Sequence, residues 1–551
     1  MSRCFRLAYC VALALLALSN VAWSNESTRE MLRRRLENSG TPPRILVANE
    51  SVHASIALPR FYVQRGFELA WAGRPGEKRI DALVTALRVA DAEGLDPRDY
   101  HLERIDALRE RLRSAPREAT DALHVDLDLL CTDAFLLYGS HLVSGFVNPE
   151  TIDPEWHANR REVELTGVLE KAVESGRVRE ALESLLPDHP GYAALKRALA
   201  AMRETVQRGG WETVAPGPKL EFGVRNARVA QLRRRLEGSG DLARDSAVED
   251  EMFDAGLRNA VVRFQARHGL DADGVVGPAT LAAANVSARQ RQRQIVVNLE
   301  RWRWLPQDLG ERYILVNIPA FTAVVIEKGK PVLEMRAVVG RQFRRTPVFS
   351  ARMTYLVLNP YWEVPPSLAV QDKLPEIRKD PSYLARQNMR VYSGWGAEAR
   401  ELDPGDIDWS VVNAQRFPYR LRQDPGPLNA LGRAKFMFPN PHNVYLHDTP
   451  QRDHFARAMR SFSSGCIRIE TPLELAAYLL AEDPAWSPER IWKTVEKNET
   501  TTLTLRRGIA VHLLYWTAWA DANGVMHFRE DIYGRDRRVS EALRAEPPAL
   551  P

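Results

Sequence analysis

A histidine and a cysteine, separated by one short stretch of chain, are the residues here whose types and spacing carry chemistry. His447 lies in Tyr445-Leu446-His447-Asp448-Thr449-Pro450, and Cys466 lies in Ser463-Ser464-Gly465-Cys466-Ile467-Arg468. A thiol of ordinary pKa, about 8.5, is mostly protonated at neutral pH, and a neighbouring imidazole can hold it as thiolate. Cys466 is thus a candidate nucleophile and His447 its proton acceptor and donor. Gly465 lets backbone N–H groups approach a reacting carbonyl, as an oxyanion hole requires. Ser463 and Ser464 shape the loop, with their direct participation the alternative. Tyr445 either donates a further hydrogen bond or packs. Arg468 either binds a substrate carboxylate or braces the loop. His442 and His454 read as surface residues. No carboxylate–histidine set stands at metal spacing, so neither metal nor cofactor is expected.

The elements around these residues must hold thiol and imidazole on one face. Segment 443–447 alternates as a strand does, putting Val444 and Leu446 on one side and Tyr445 and His447 on the other. In Cys466-Ile467-Arg468-Ile469 the cysteine and arginine share a face and the isoleucines seek the core. A helix then starts at Pro472, with Thr471 and Glu474 spaced for a capping box.

The chain has 551 residues, enough for three or four domains rather than one core. A formal charge of +5 is small for this length and gives nucleic-acid binding little support, and Arg233-Arg234-Arg235 reads as a solvated helix face. Arg3 and Arg6 precede an apolar run over 7–18, and Ala22-Trp23-Ser24 offers small residues for cleavage, the layout of a secretory signal over 1–24. The expected location is therefore the periplasm, with no stable membrane insertion after cleavage. Cys4 and Cys10 leave with that signal. Of the remaining cysteines, Cys131 sits in an apolar helical run, where a buried inert thiol is expected, and Cys466 in a polar Ser/Gly context.

Residues 25–213 read as helices broken by turns and suit a scaffold, and 214–219 as a linker. Residues 220–286 form a small three-helix unit. From 310 to 540 the period switches to two, with strands near 313–317, 320–326, 332–339, 355–359 and 434–438. A polar insert at about 370–430 interrupts them and reads as a lid. Residues 541–551 read as a flexible tail. The fold class is multidomain α+β.

Several stretches resemble known families. Phe264-Gln265, Gly269-Leu270, Asp273-Gly274-Val275-Val276-Gly277 and Thr280 resemble the peptidoglycan-binding-like domain, as spacer or wall-binding module. The Tyr445 and Ser463 stretches resemble the active-site signature of the L,D-transpeptidases, the YkuD-type catalytic domain, with Ser464 where many members carry histidine. Asn359-Pro360-Tyr361-Trp362-Glu363-Val364-Pro365-Pro366-Ser367 and Lys435-Phe436-Met437-Phe438-Pro439-Asn440 are similar to the large Gram-negative, YcbB-like subgroup, whose insert is a mobile capsule. The resemblance implies acyl transfer through a Cys466 thioester, with peptidoglycan stem peptides as donor and acceptor, 3–3 cross-links as product, and other cell-wall synthases as candidate partners. Within the same fold, water or a lipoprotein lysine can take the acyl group instead. A sortase, which also orders His before Cys before Arg, and an inactive wall-binding scaffold are the remaining alternatives.

Overall fold

The computed structural model describes residues 26–37, 40, 44–116, 120–157, 160–243, 251–413, 415, 417–548 and 550; the expected signal segment lies outside them. Arg312–Asn317, Thr322–Glu327 and Lys330–Gly340 form an antiparallel meander. Its second turn places Lys328 and Gly329 at φ 51° and 76°, the left-handed pair that a two-residue hairpin of this twist needs. Ile467–Ile469 lies antiparallel to Lys330–Gly340, Leu446–His447 parallel to Ile467–Ile469, and Ala434–Met437 antiparallel to Leu446–His447. On the other flank Arg312–Asn317 runs parallel to Thr501–Leu514, which is antiparallel to Val348–Leu358. Ala434–Met437 also pairs with Val348–Leu358, so the ladder returns on itself and protects its edges. The interior is filled by inward side chains, among them Ile314, Val316, Phe436, Leu446, Ile467 and Ile469, all fully buried.

Between Val348–Leu358 and Ala434–Met437 the chain builds a second unit. Glu401–Leu402, Met389–Tyr392, Arg420–Gln423 and Trp362–Glu363 form a four-stranded sheet in that order, over a separate core containing Val364 and Leu421. The insert thus begins at Trp362 rather than near 370, because Trp362–Glu363 pairs with the returning strand Arg420–Gln423.

Ahead of the barrel, the helix Thr120–Ser144 is buried on almost every side, Cys131 included, and burial pushes that thiol up, away from reactivity. This helical region is tied to the barrel by Trp156–His157, which runs parallel to Val348–Leu358. Buried Arg535 adds ion pairs to Asp153 at 2.7 Å and Glu155 at 3.0 Å. The three-helix unit comprises Ala227–Gly238, Ala255–His268 and Pro278–Ala284.

Four expectations are corrected. Arg233 and Arg235 are buried rather than solvated. Arg233 pairs with Asp254, and Arg235 lies 4.0 Å over the Trp211 ring. The segment taken as a linker is bolted to the three-helix unit, for Val214 is buried and exchanges two hydrogen bonds with Asn285, at 2.8 and 2.9 Å. The tail returns to the helical region, where the Leu550 N–H donates to the His53 carbonyl at 2.7 Å. The helix Pro472–Leu480 starts where expected, but Thr471 makes no cap bond and its Oγ1 is buried without a partner.

Candidate active site

Register decides the site. His447 is opposite Arg468 and Leu446 opposite Ile467 in the parallel pair, and paired residues share a face. With Leu446 and Ile467 fully buried in the barrel, Tyr445, His447, Cys466 and Arg468 face outward together. They line a cleft of about 1060 Å³ between the barrel and the insert, with Trp362, Trp395 and Leu428 on the insert side.

His447 is almost fully buried, and its Nδ1 lies 2.5 Å from the Asp448 carbonyl, which can only accept. Nδ1 therefore carries the proton and Nε2 is left as the basic nitrogen. Asp448 is held in turn, accepting from the Arg433 backbone N–H at 2.8 Å and from Arg452 at 3.1 Å. Burial lowers the His447 pKa from 6.5 to about 3, with the charges of Arg468 and Lys435 adding to that and the Asp448 carbonyl opposing it.

The Cys466 sulfur donates to the Asn443 carbonyl at 3.7 Å. Burial pushes its pKa up, while the backbone N–H and hydroxyl of Tyr445 and the charges of Lys435 and Arg468 pull it down. The thiolate–imidazolium pair expected from the sequence is thus replaced, at rest, by thiol and neutral imidazole. Both ions are disfavoured by the same desolvation.

Gly465 adopts φ 114°, a conformation closed to most side chains, and a Cβ there would meet the Arg345 carbonyl at 3.4 Å. Its N–H donates to Ser463 Oγ at 3.1 Å, so that donor is engaged within the loop instead of facing a carbonyl. The contribution of Gly465 is the turn itself. Ser463 Oγ donates to the Cys466 carbonyl at 2.6 Å, and Thr346 Oγ1 to the Gly465 carbonyl at 2.9 Å. Ser464 Oγ accepts from Arg344 at 3.0 Å, and the same guanidinium holds Asp372 of the insert at 2.6 and 2.7 Å. Arg344 therefore latches the insert to the cysteine loop. Arg468 donates to Gln451 at 2.6 Å, which braces the loop, but its Nε is buried without a partner.

His442 and His454 are half-buried rather than surface residues. His442 lines the cleft and stacks on His157 at 4.5 Å, and the His454 Nδ1 is 3.5 Å from Arg468. The sequence reading assigned no role to Arg344, Asn443 or Lys435. For Lys435 a signal existed: Ala434-Lys435-Phe436 alternates, and Lys435 is paired in register with His447.

These features define a half-buried cysteine and a tautomer-fixed histidine on one face of a mixed β-domain, under an inserted subdomain. Residues 311–494 match the family described as "L,D-transpeptidase catalytic domain", YkuD. Residues 56–199 match the "Scaffold domain", and 225–284 the "Putative peptidoglycan binding domain". The chain therefore carries a YkuD-type L,D-transpeptidase catalytic domain together with a peptidoglycan-binding domain. It is 36% identical over 250 residues to a Haemophilus influenzae protein named "Putative L,D-transpeptidase", a match covering 45% of this chain and 49% of that protein, about half its length. Solved structures with some likeness include an L,D-transpeptidase from Stackebrandtia nassauensis, at 14% identity and TM-score 0.22, covering 55% of this chain and 96% of that one. Another, from Mycobacterium smegmatis, has 14% identity and TM-score 0.17, covering 37% of this chain and 58% of that one. Likenesses at that level place no constraint on this chain. Among the described residues no helix is long and apolar enough to cross a membrane.

Proposed function

We propose that this protein is a periplasmic peptidoglycan L,D-transpeptidase that forms 3–3 cross-links through a thioester on Cys466. The observation that carries the reading is the outward placement of Cys466 and His447 on adjacent strands at one cleft, with Nδ1 of His447 already committed to a carbonyl. Sγ attacks the carbonyl joining meso-diaminopimelate to the terminal D-Ala of a tetrapeptide stem, and the thiol proton passes to Nε2 of His447. As the C–N bond breaks, His447 returns that proton to the departing D-Ala amine, leaving a thioester. The side-chain amine of a second stem then attacks the thioester. Its proton passes through His447 to the sulfur as the C–S bond breaks.

Two neutral partners suit this route, since the proton moves with bond formation rather than before it. The insert above the cleft is the natural shield of the thioester from water. Replacing Cys466 by Ala is expected to abolish the covalent adduct with a carbapenem, read by intact-protein mass, and the formation of 3–3 muropeptides from tetrapeptide-bearing sacculi. An adduct surviving in Cys466→Ala would show that another residue is the nucleophile. Tripeptides without cross-links would assign the acyl group to water.

A further inference from the structure

We propose that Lys435 is a positioning residue of this site: its ammonium, carried on the strand beside His447, is a cation that stabilises negative charge on the Cys466 sulfur as it attacks. The inference rests on Cys466 being the nucleophile. Lys435 is opposite His447 in the antiparallel pair Ala434–Met437 and Leu446–His447, so its side chain shares the cleft face. Its Nζ lies 4.1 Å from the centre of the Tyr445 ring. Tyr445 stands opposite Cys466 in the register that pairs Leu446 with Ile467, and hydrogen bonding from Tyr445 lowers the Cys466 pKa. A cation on the face of a phenol draws electron density from the ring and makes the hydroxyl a stronger donor. Lys435 therefore acts on the sulfur twice, through space and through Tyr445.

Among the described residues no carboxylate pairs with the ammonium. The carboxylate whose charge reaches it, Glu363, lies instead 3.9 Å from Arg420. Burial lowers the Lys435 pKa, and the charge of Cys466 is the largest influence opposing that, ahead of Glu363. A half-buried lysine on the cleft face beside this sulfur is placed to act on the negative charge that develops there during attack, and not for a structural ion pair.

The other charged groups at the cleft are differently employed. Arg468 is tied to Gln451 at 2.6 Å and approaches His454 at 3.5 Å. Arg344 is neutralised by Asp372 at 2.6 Å. The remaining titratable or charged side chains are Arg341 on the loop before the strand Val348–Leu358, Lys373 on the insert, and His442 and His447, whose pKa values are lowered by burial. Among these, the cations whose charge acts on Cys466 are Lys435 and Arg468.

The test is the pH dependence of Cys466 alkylation by iodoacetamide, mapped by peptide mass and blanked with Cys466→Ala. Lys435→Met and Lys435→Gln are expected to move the midpoint upward by about one pH unit and slow alkylation at neutral pH about tenfold. Lys435→Arg, which keeps the charge, is expected to retain the wild-type midpoint. A midpoint unmoved in either neutral variant overturns the proposal. So does a shift in Lys435→Arg as large as in Lys435→Met, which would mean packing rather than charge. Carbapenem adduct formation by the wild-type protein separately reads whether Cys466 is the nucleophile, so the two ideas fail on different measurements.

Discussion

Acidification tests the state of His447 directly, because its burial makes an unusual commitment. A drop from 6.5 to about 3 in the folded protein corresponds to about 5 kcal/mol against the imidazolium. The sign follows from which state binds the proton first. With the folded pKa depressed, the unfolded chain takes up the proton as pH falls below 6.5 while the folded protein does not. The residue's contribution to stability is therefore fully present above pH 6.5 and lost progressively down to about pH 3. Between pH 7 and pH 5 the loss amounts to about 2 kcal/mol. His447→Gln removes this dependence while slowing acylation by about 10²- to 10⁴-fold. Urea unfolding of wild type and variant at both pH values measures the first effect, and the rate of carbapenem acylation measures the second. In the wild type the acylation rate should stay flat between pH 5 and pH 7, without an inflection near 6.5, because the neutral pair is fully populated throughout. An inflection there, or identical pH dependence of stability in the two proteins, would refute the neutral-pair account.

Three further substitutions probe the supports of the site. Gly465→Ala forces a side chain into φ 114° against the Arg345 carbonyl, and should destabilise the loop by about 1–3 kcal/mol and slow adduct formation accordingly, measured by melting and by mass. Gly432→Ala places a Cβ against the Asp448 carboxyl and should displace the carbonyl that holds His447, lowering the acylation rate although residue 432 lies on another loop. Arg344→Ala removes the tie between Ser464 and Asp372. Since Asp372 is 37% exposed, stability should change by about 1 kcal/mol or less, while the adduct lifetime should shorten as the insert loosens. An unchanged lifetime would remove the latch from the account. Asp372 is held below the usual carboxylate range by Arg344, so the tie persists at neutral pH and is lost as pH falls through that depressed value.

The outward face of the site was legible because strand alternation is a local property: Leu446 and Ile467 are apolar and their neighbours are not. That reading placed Tyr445, His447, Cys466 and Arg468 together before any register was known. It could not supply the electrostatics. Whether a thiol and an imidazole ionise each other depends on how far they are desolvated and on charges such as Lys435 that pairing brings from another strand. The arginines misled for a related reason. Arg233 and Arg234 sit side by side in the chain, yet the first is buried against Asp254 and the second pairs at half exposure with Glu212. Composition gives the charge of a segment but not the partner that lets it be buried.

The same physics links the insert to the chemistry. The outward face of the strands Leu446–His447 and Ile467–Ile469 opens on the cleft beneath the insert, and desolvation there raises the Cys466 pKa and lowers that of His447. The ionised intermediate then depends on fixed partners: the Tyr445 donors and the cations Lys435 and Arg468. A site built this way gains exclusion of water at the expense of a readily formed nucleophile, and the compensating charges have to come from the faces that the cover touches. That is why a lysine with no paired carboxylate among the described residues belongs on the strand next to His447.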